Sequence, residues 1–352
     1  MKYLLILILL TFLGLRFYLT QPVYKDGDTI RITTRVSKDP IKYDKSQYIK
    51  AAGLGFYLPL FPEVFYGDKI VVEGVVENGK LANPMLIKIV ETEKSVYSFR
   101  NNLISFYQSV LPEPAAGLVA GITLGSKGAL TADFWEMVKN TGVAHVVVAS
   151  GTNVTFVTSF LVAFLTVFLP RRKMIPLALL GILLYLFVSG FDAPLVRAAI
   201  MSGALFVAQE KGSLVSPWYL LTLSAYLMLL INPSWLFDLG FILSFVSTSS
   251  LMLFQKKVVK YFKFLPNFLR DGFSTSMAAQ IGVAPILFVT FGHFNIWSPI
   301  INALVLWTVP FIMISGALTG ALFKFAPMIA KMILLLGYPV MLWFIKIVEL
   351  FN

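Results

Sequence analysis

Residues 141–153 read TGVAHVVVASGTN, Thr141 to Asn153, and open an apolar run that continues to Leu169. A helix that only crosses lipid has no use for His145, Ser150, Gly151 and Asn153 in such a place. Hydrocarbon penalises each polar group unless it faces a cavity or a partner helix. The stretch therefore predicts a membrane protein with a polar interior. The simpler alternative is a close helix contact made by the small residues Ser150 and Gly151.

Composition agrees with a membrane chain: 57% of the residues are hydrophobic, 13% are charged, and the mean hydropathy is +0.79. That is too apolar for one soluble core, and a polytopic protein is expected. The chain has no cysteine, which removes disulfides, thiolate metal sites and cysteine nucleophiles. With only His145 and His293, a histidine-rich metal centre is excluded, and no cofactor is expected. The net charge is +11, with most of the positive excess beyond residue 100. Such an excess suits membrane orientation, anionic lipid or an anionic cargo.

Outward from the central stretch, the chain divides into four parts. Residues 1–20 predict an uncleaved anchor helix, because the apolar segment after Lys2 lacks a small-x-small cleavage pattern, and Arg16 can snorkel to the interface. Residues 21–95 alternate in short runs broken by Gly, Pro, Asn and Asp. Five strands are expected there, two of them joined through Asn78-Gly79, in a small antiparallel β-barrel of OB-like type. Such barrels bind nucleic acid by stacking bases on aromatics in a basic groove, for which Arg31, Arg35, Lys42, Tyr43, Lys45, Tyr48 and Lys50 are candidates. The alternative places the tyrosines in the core and the lysines in solvated loops. Residues 96–142 predict interfacial or re-entrant helices, including one with Val96, Phe99, Leu103, Phe106, Tyr107 and Val110 on a single face, and one capped by Thr131.

Residues 143–352 predict spans at 143–169, 174–191, 195–209, 214–231, 236–254, 273–291, 296–322 and 327–348. Every second loop is basic: Arg171 to Lys173, Lys211, Lys256 to Arg270, and Lys324. The positive-inside rule puts those loops in the cytoplasm and the strand domain outside. The run KKVVKYFKFLPNFLRD reads as an amphipathic cytoplasmic helix in contact with lipid. Within the spans Arg197 is the costliest residue, at about 2.5 kcal/mol or more near the midplane. It lines a polar path, pairs with Asp192 or Asp238, or snorkels. Asn232, Asp238, Ser244, Gln280 and Asn302 add further polar groups, and Pro285, Pro299 and Pro310 permit kinks.

Taken in order, GITLGSKGAL, TGVAHVVVASGTNV, APLVRAA, NPSWLFDLGFILSF, AAQIGVAPILFVTFG and SPIINALVLWTVP resemble the competence domain of the ComEC-type DNA-uptake channel family, over residues 113–312. The anchor and OB-like domain fit the same pattern. The resemblance implies passage of one DNA strand across the bacterial cytoplasmic (inner) membrane during natural transformation, with no enzymatic step. It places His145, Ser150, Gly151, Arg197, Asn232, Asp238, Gly240, Ser244, Gln280, Pro285 and Asn302 in the family's motifs, with Asn153 beside them on the path. Asn153 stands where the family has a histidine, and Ile242 where a glutamine is common. Many members carry a further metallo-β-lactamase-like domain, and this chain ends at Asn352 without one, so a separate nuclease is expected. The partners implied are single-stranded DNA, the lipid bilayer, a DNA receptor and a cytoplasmic helicase-like motor, since no Walker A loop is present; a homodimer stays open. Two other readings remain: a transporter of a small anionic or lipid-linked solute, and an intramembrane hydrolase with Ser150 as nucleophile and His145 as base.

Overall fold

The computed structural model describes residues 2–20, 24–43, 45–90, 96–148, 150–264, 266–292 and 295–352. Six strands form one sheet: β1 (Thr29–Arg35), β2 (Ile41–Lys42), β3 (Ser46–Ala51), β4 (Leu54–Pro59), β5 (Lys69–Glu77) and β6 (Lys80–Val90), in the order β1-β5-β6-β4-β3-β2. Two tight hairpins set its local register. Ala52 (φ 51°) and Gly53 (φ 82°) join β3 to β4, and Asn78 (φ 49°) and Gly79 (φ 70°) join β5 to β6. Left-handed conformation at both loop residues gives the turn a twist that matches the strands it connects.

The expected antiparallel barrel is corrected in two respects. β1 and β2 occupy the two edges with no ladder between them among the described residues, and β4 meets β6 in parallel at Gly55 and Lys80. The sheet is open and mixed. β2, two residues long, offers too little ladder to close it. One face is apolar, with Ile49, Phe56, Leu58, Ile70, Val72, Val76 and Leu81 in its core. Gln47 is fully buried beside that core. Its Nε2 donates to the Pro59 and Pro62 carbonyls at 2.8 and 2.9 Å, and its Oε1 accepts from Val64 N at 3.0 Å, fixing the segment that follows β4.

The helices are α1 (Lys2–Thr20), α2 (Val96–Val110), α3 (Ala115–Leu124), α4 (Ala132–Asn140), α5 (Ala144–Val147), α6 (Gly151–Phe168), α7 (Arg171–Ser189), α8 (Ala193–Glu210), α9 (Pro217–Ile231), α10 (Leu239–Tyr261), α11 (Asn267–Phe291), α12 (Ser298–Val305), α13 (Val309–Leu322) and α14 (Pro327–Leu350). Among the described residues, five segments are long and apolar enough to cross a membrane: 144–168, 239–261, 270–290, 298–322 and 327–350. Only 11% of the apolar window in α10, and the same share in α11, is buried inside the chain. Apolar surface left uncovered on that scale identifies a membrane protein.

Around α3 the packing is tightest. Every residue of α3 is buried, against α2, α13 and α14. Tyr107 donates its hydroxyl to the Gly316 carbonyl at 2.8 Å, and a Cβ at Gly316 would strike the Thr123 side chain. α2 is packed into this core through Leu103 and Tyr107, and the same face carries Arg100. The apolar face predicted for a helix lying on the bilayer is therefore turned inward, because Arg100 finds a partner described below.

Candidate functional site

The central stretch forms a broken helix that joins two polar clusters. α4 ends where Thr141 Oγ1 donates to the Met137 carbonyl at 2.8 Å. Gly142 follows with φ +75°, and a Cβ there would stand 2.9 Å from Ser298. After the single turn of α5, Val148 and Ser150 are extended, and α6 begins at Gly151. At this end a Cβ on Gly151 would lie 3.1 Å from Arg197 Nη2 and 3.4 Å from Ala198 Cβ. Glycine is what allows the guanidinium to approach the start of α6. Asn153, fully buried, ties the break to α3 by donating to the Ile122 carbonyl at 2.8 Å, and Ser150 donates to its Oδ1 at 3.3 Å.

Arg197 projects from the second turn of α8. Its Nη1 donates to the Ser244 carbonyl of α10 at 2.9 Å, and its Cζ lies 5.9 Å from the centre of the Phe245 ring. Arg197 Nε and Ser244 Oγ are buried without a partner. Among the described residues, no carboxylate lies within ion-pair distance of Arg197. The pairing with Asp192 or Asp238 expected as one alternative is not made. Both acids instead meet Lys38, which reaches them from the β1–β2 loop at 3.7 and 3.1 Å, and Lys127 stands 3.8 Å from Asp192.

Asp238 also caps α10, accepting from Phe241 N at 3.2 Å, and Gly240 leaves room for its carboxylate. Asn232 caps the turn before it through Ser234. Burial by itself would lower the Lys38 ammonium, but the charges of Asp192 and Asp238 raise it above its ordinary 10.5. Burial would raise Asp238, but Lys38 and the N–H groups of Phe241 and Gly240 hold it below its ordinary 3.8. The Asp238 contribution is lost only as pH falls through that lowered value, and the Lys38 contribution only as pH rises through its raised one. This staple therefore stays charged across the neutral range.

The second cluster surrounds Asn302, which is fully buried. Its Nδ2 donates to Ser276 Oγ at 2.7 Å and Ser298 Oγ at 3.1 Å, while its Oδ1 is buried without a partner. Gln280 donates to the Asn295 carbonyl at 2.9 Å, and Asn295 in turn donates to the Asn140 carbonyl at 2.8 Å. His145 is exposed on α5. Ser150 Oγ bonds Thr152 and Asn153 and, among the described residues, makes no bond to His145, while His293 lies outside them.

On the sheet, Tyr43 is exposed, Tyr48 half-buried, and Tyr57 exposed across the ladder from Tyr48. The Tyr48 and Tyr57 rings are 4.9 Å apart and the Tyr43 and Tyr57 rings 6.1 Å. Lys45 and Lys50 flank them; the Lys42 side chain lies outside the described residues. Arg31 and Arg35 stand on β1, at the opposite edge, so the predicted basic set is divided. Tyr57, Lys38, Lys127, Ser276 and Asn295 are additions the sequence did not single out. For Tyr57 the signal was present in the alternation of β4.

The Competence protein family model matches residues 122–352. "ComE operon protein 3" of Bacillus subtilis (strain 168) is 33% identical over 228 residues, 64% of this chain and 29% of the relative. "Competence protein ComA" of Neisseria gonorrhoeae is 25% identical over 228 residues, 60% of this chain and 31% of the relative. The matched part thus spans about a third of either relative's length. No solved structure matches. The match takes in the whole central stretch, Arg197 with its acceptor on α10, and the Asn302 cluster. With two thirds of its residues inside a single family model, the chain belongs to the ComEC-type competence protein family.

Proposed function

We propose that this protein conducts single-stranded DNA across the bacterial cytoplasmic membrane during DNA uptake, with α1 as an additional anchor and the sheet on the outer side. The observation that carries this reading is Arg197, a cation among membrane helices with, among the described residues, only neutral acceptors and no carboxylate within ion-pair distance. A charge retained there at a cost of a few kcal/mol is compensated when an anion comes to it. The site suits brief contact with a phosphate: one guanidinium, the Ser244 carbonyl and hydroxyl beside it, and small residues at the break. Conduction needs sites that release as readily as they capture.

The sheet touches the helices at Asp192 and Asp238, in the loops without lysine or arginine. If the basic loops are cytoplasmic, the sheet meets the strand first. Its three tyrosines form a stacking platform that tolerates any base, and Lys45 and Lys50 supply backbone contacts. A small-solute carrier has no use for such a face. This reading calls for a motor, a nuclease and a DNA receptor as further activities.

The test is oligo(dT) binding by the purified full chain. Tyr48→Ala with Tyr57→Ala should weaken binding by roughly 10-fold or more, at about 1–3 kcal/mol for each stacked base. Unchanged binding would remove the sheet from the pathway and favour the small-anion reading.

A further inference from the structure

Where the β1–β2 loop meets the helices there is a cavity of about 140 Å³, lined among others by Lys38, Tyr48, Lys50, Tyr66, Lys127 and Asp192. It lies between the tyrosine face of the sheet and the outer end of α8, whose second turn carries Arg197. From Asp192 to Arg197 is five residues, about 7.5 Å along a helix. The cavity therefore has walls from both the sheet and the helix ends, on the direct line from Tyr48 to α8.

Its charges do not balance. Arg100 is spent on Asp39, to which it donates twice, at 2.9 and 2.6 Å. Asp192 alone faces both Lys38, at 3.7 Å, and Lys127, at 3.8 Å, distances too long for tight hydrogen bonds. Lys50 has no carboxylate within ion-pair distance among the described residues, although it lines the same space. Lys38 is also held by Asp238 at 3.1 Å, so Lys38 and Lys127 have two carboxylates between them, and among the described residues Lys50 has none. The volume is that of one compact group, too small for a whole nucleotide together with its base. Tyr48 forms one wall and belongs also to the tyrosine platform outside, so a base stacked there carries its backbone to the cavity mouth.

We propose that this cavity is a phosphodiester-binding site, held by Lys50 and Lys127, that receives the strand's backbone between the sheet and the membrane helices. The inference rests on the strand-conduction reading and adds to it a site and the class of group the site takes. A phosphate here satisfies Lys50 outright and relieves Lys127 of its distant partner. It also stands beside Lys38, so the strand is handed inward at the staple holding the outer ends of α8 and α10.

The experiment uses the full chain in nanodiscs of zwitterionic lipid. A photo-crosslinking phenylalanine analogue is placed in separate variants at Ile41, which lines the cavity, and at Tyr57, on the platform outside it. Labelled oligo(dT) should crosslink at both positions. Lys50→Ala with Lys127→Ala should abolish the Ile41 adduct, weaken but not abolish the Tyr57 adduct, which Lys45 and the stacked tyrosines still support, and reduce the salt slope of binding by roughly one unit per lysine. Arginine at both positions should restore the adduct, showing that charge and not folding was lost. A Tyr57 adduct without an Ile41 adduct in the parent protein overturns the cavity assignment and leaves strand conduction standing; no adduct at either position overturns both. Suppression of the Ile41 adduct by anionic phosphatidylglycerol vesicles but not by unlabelled oligo(dT) also overturns it, since the site would then be one for lipid headgroups.

Discussion

Arg197→Gln should lower entry of labelled single-stranded DNA into cells by at least about tenfold, the effect of removing one charge-assisted contact worth about 1.5–3 kcal/mol, while leaving the amount of folded protein in the membrane unchanged. Glutamine keeps an N–H donor for the Ser244 carbonyl, which Arg197 Nη1 now reaches at 2.9 Å. It removes only the charge. In a structural ion pair, that change would strand a carboxylate and destabilise the fold. Here Asp192 and Asp238 are held by Lys38 and Lys127, so no described carboxylate depends on Arg197. Removing a charge that membrane surroundings disfavour should leave the thermal midpoint equal or higher. Arg197→Lys should retain part of the activity, because a point charge replaces the planar fork. Parallel loss of protein and of entry would mean that Arg197 holds the fold together and does not serve a strand.

The largest stability effect is expected at Arg100→Met. Arg100 is 2% exposed, binds both oxygens of Asp39, and lies 4.8 Å above the Tyr66 ring. Methionine fills much of the same space but leaves Asp39, whose side chain is 11% exposed, as an uncompensated buried charge. Breaking one side of such a pair costs about 3–5 kcal/mol. Asp39 belongs to the loop between β1 and β2, while Arg100 belongs to α2, so the loss falls on the seam between sheet and helices. Thermal unfolding in detergent should shift down sharply, and limited proteolysis should cut the β1–β2 loop first. Adding Asp39→Leu should recover most of the loss, because an apolar pair costs no desolvation. A single variant as stable as the parent would show that the seam is held by other contacts.

These two arginines also mark how far the sequence could be read. Elements that depend on neighbours in the chain were legible. The turn at Asn78-Gly79 forms as expected, the alternation of β5 matches its buried face, and the long apolar runs become helices, although α10 runs on to Tyr261 and α11 starts at Asn267, where 254 and 273 were expected. The break ahead of Gly151 differs from the single span expected over 143–169: the polar and small residues that interrupt the apolar run end α5 at Val147 and start α6 at Gly151. Pairings over long separations were not legible. Lys38 and Asp238 are 200 residues apart, Arg100 and Asp39 are 61 apart, and nothing local tells a lysine in a turn that it will meet the caps of two helices. The open sheet has the same origin, because the β4–β6 contact has no local signal. Nothing near Arg100 in the sequence points to Asp39, its partner in the β1–β2 loop.

If the chain itself conducts a strand, purified protein suffices for passage. The most direct measurement places purified protein in liposomes with single-stranded-DNA-binding protein trapped inside as a sink, so that no motor is needed. End-labelled oligonucleotide is added outside, and nuclease-protected label is counted after external digestion. Single-stranded DNA should be protected well above the level in protein-free vesicles, duplex should be little protected, and Arg197→Gln should bring protection to background. Single-strand protection no greater than in protein-free vesicles, with the sink present and the protein folded, would contradict conduction by the chain itself.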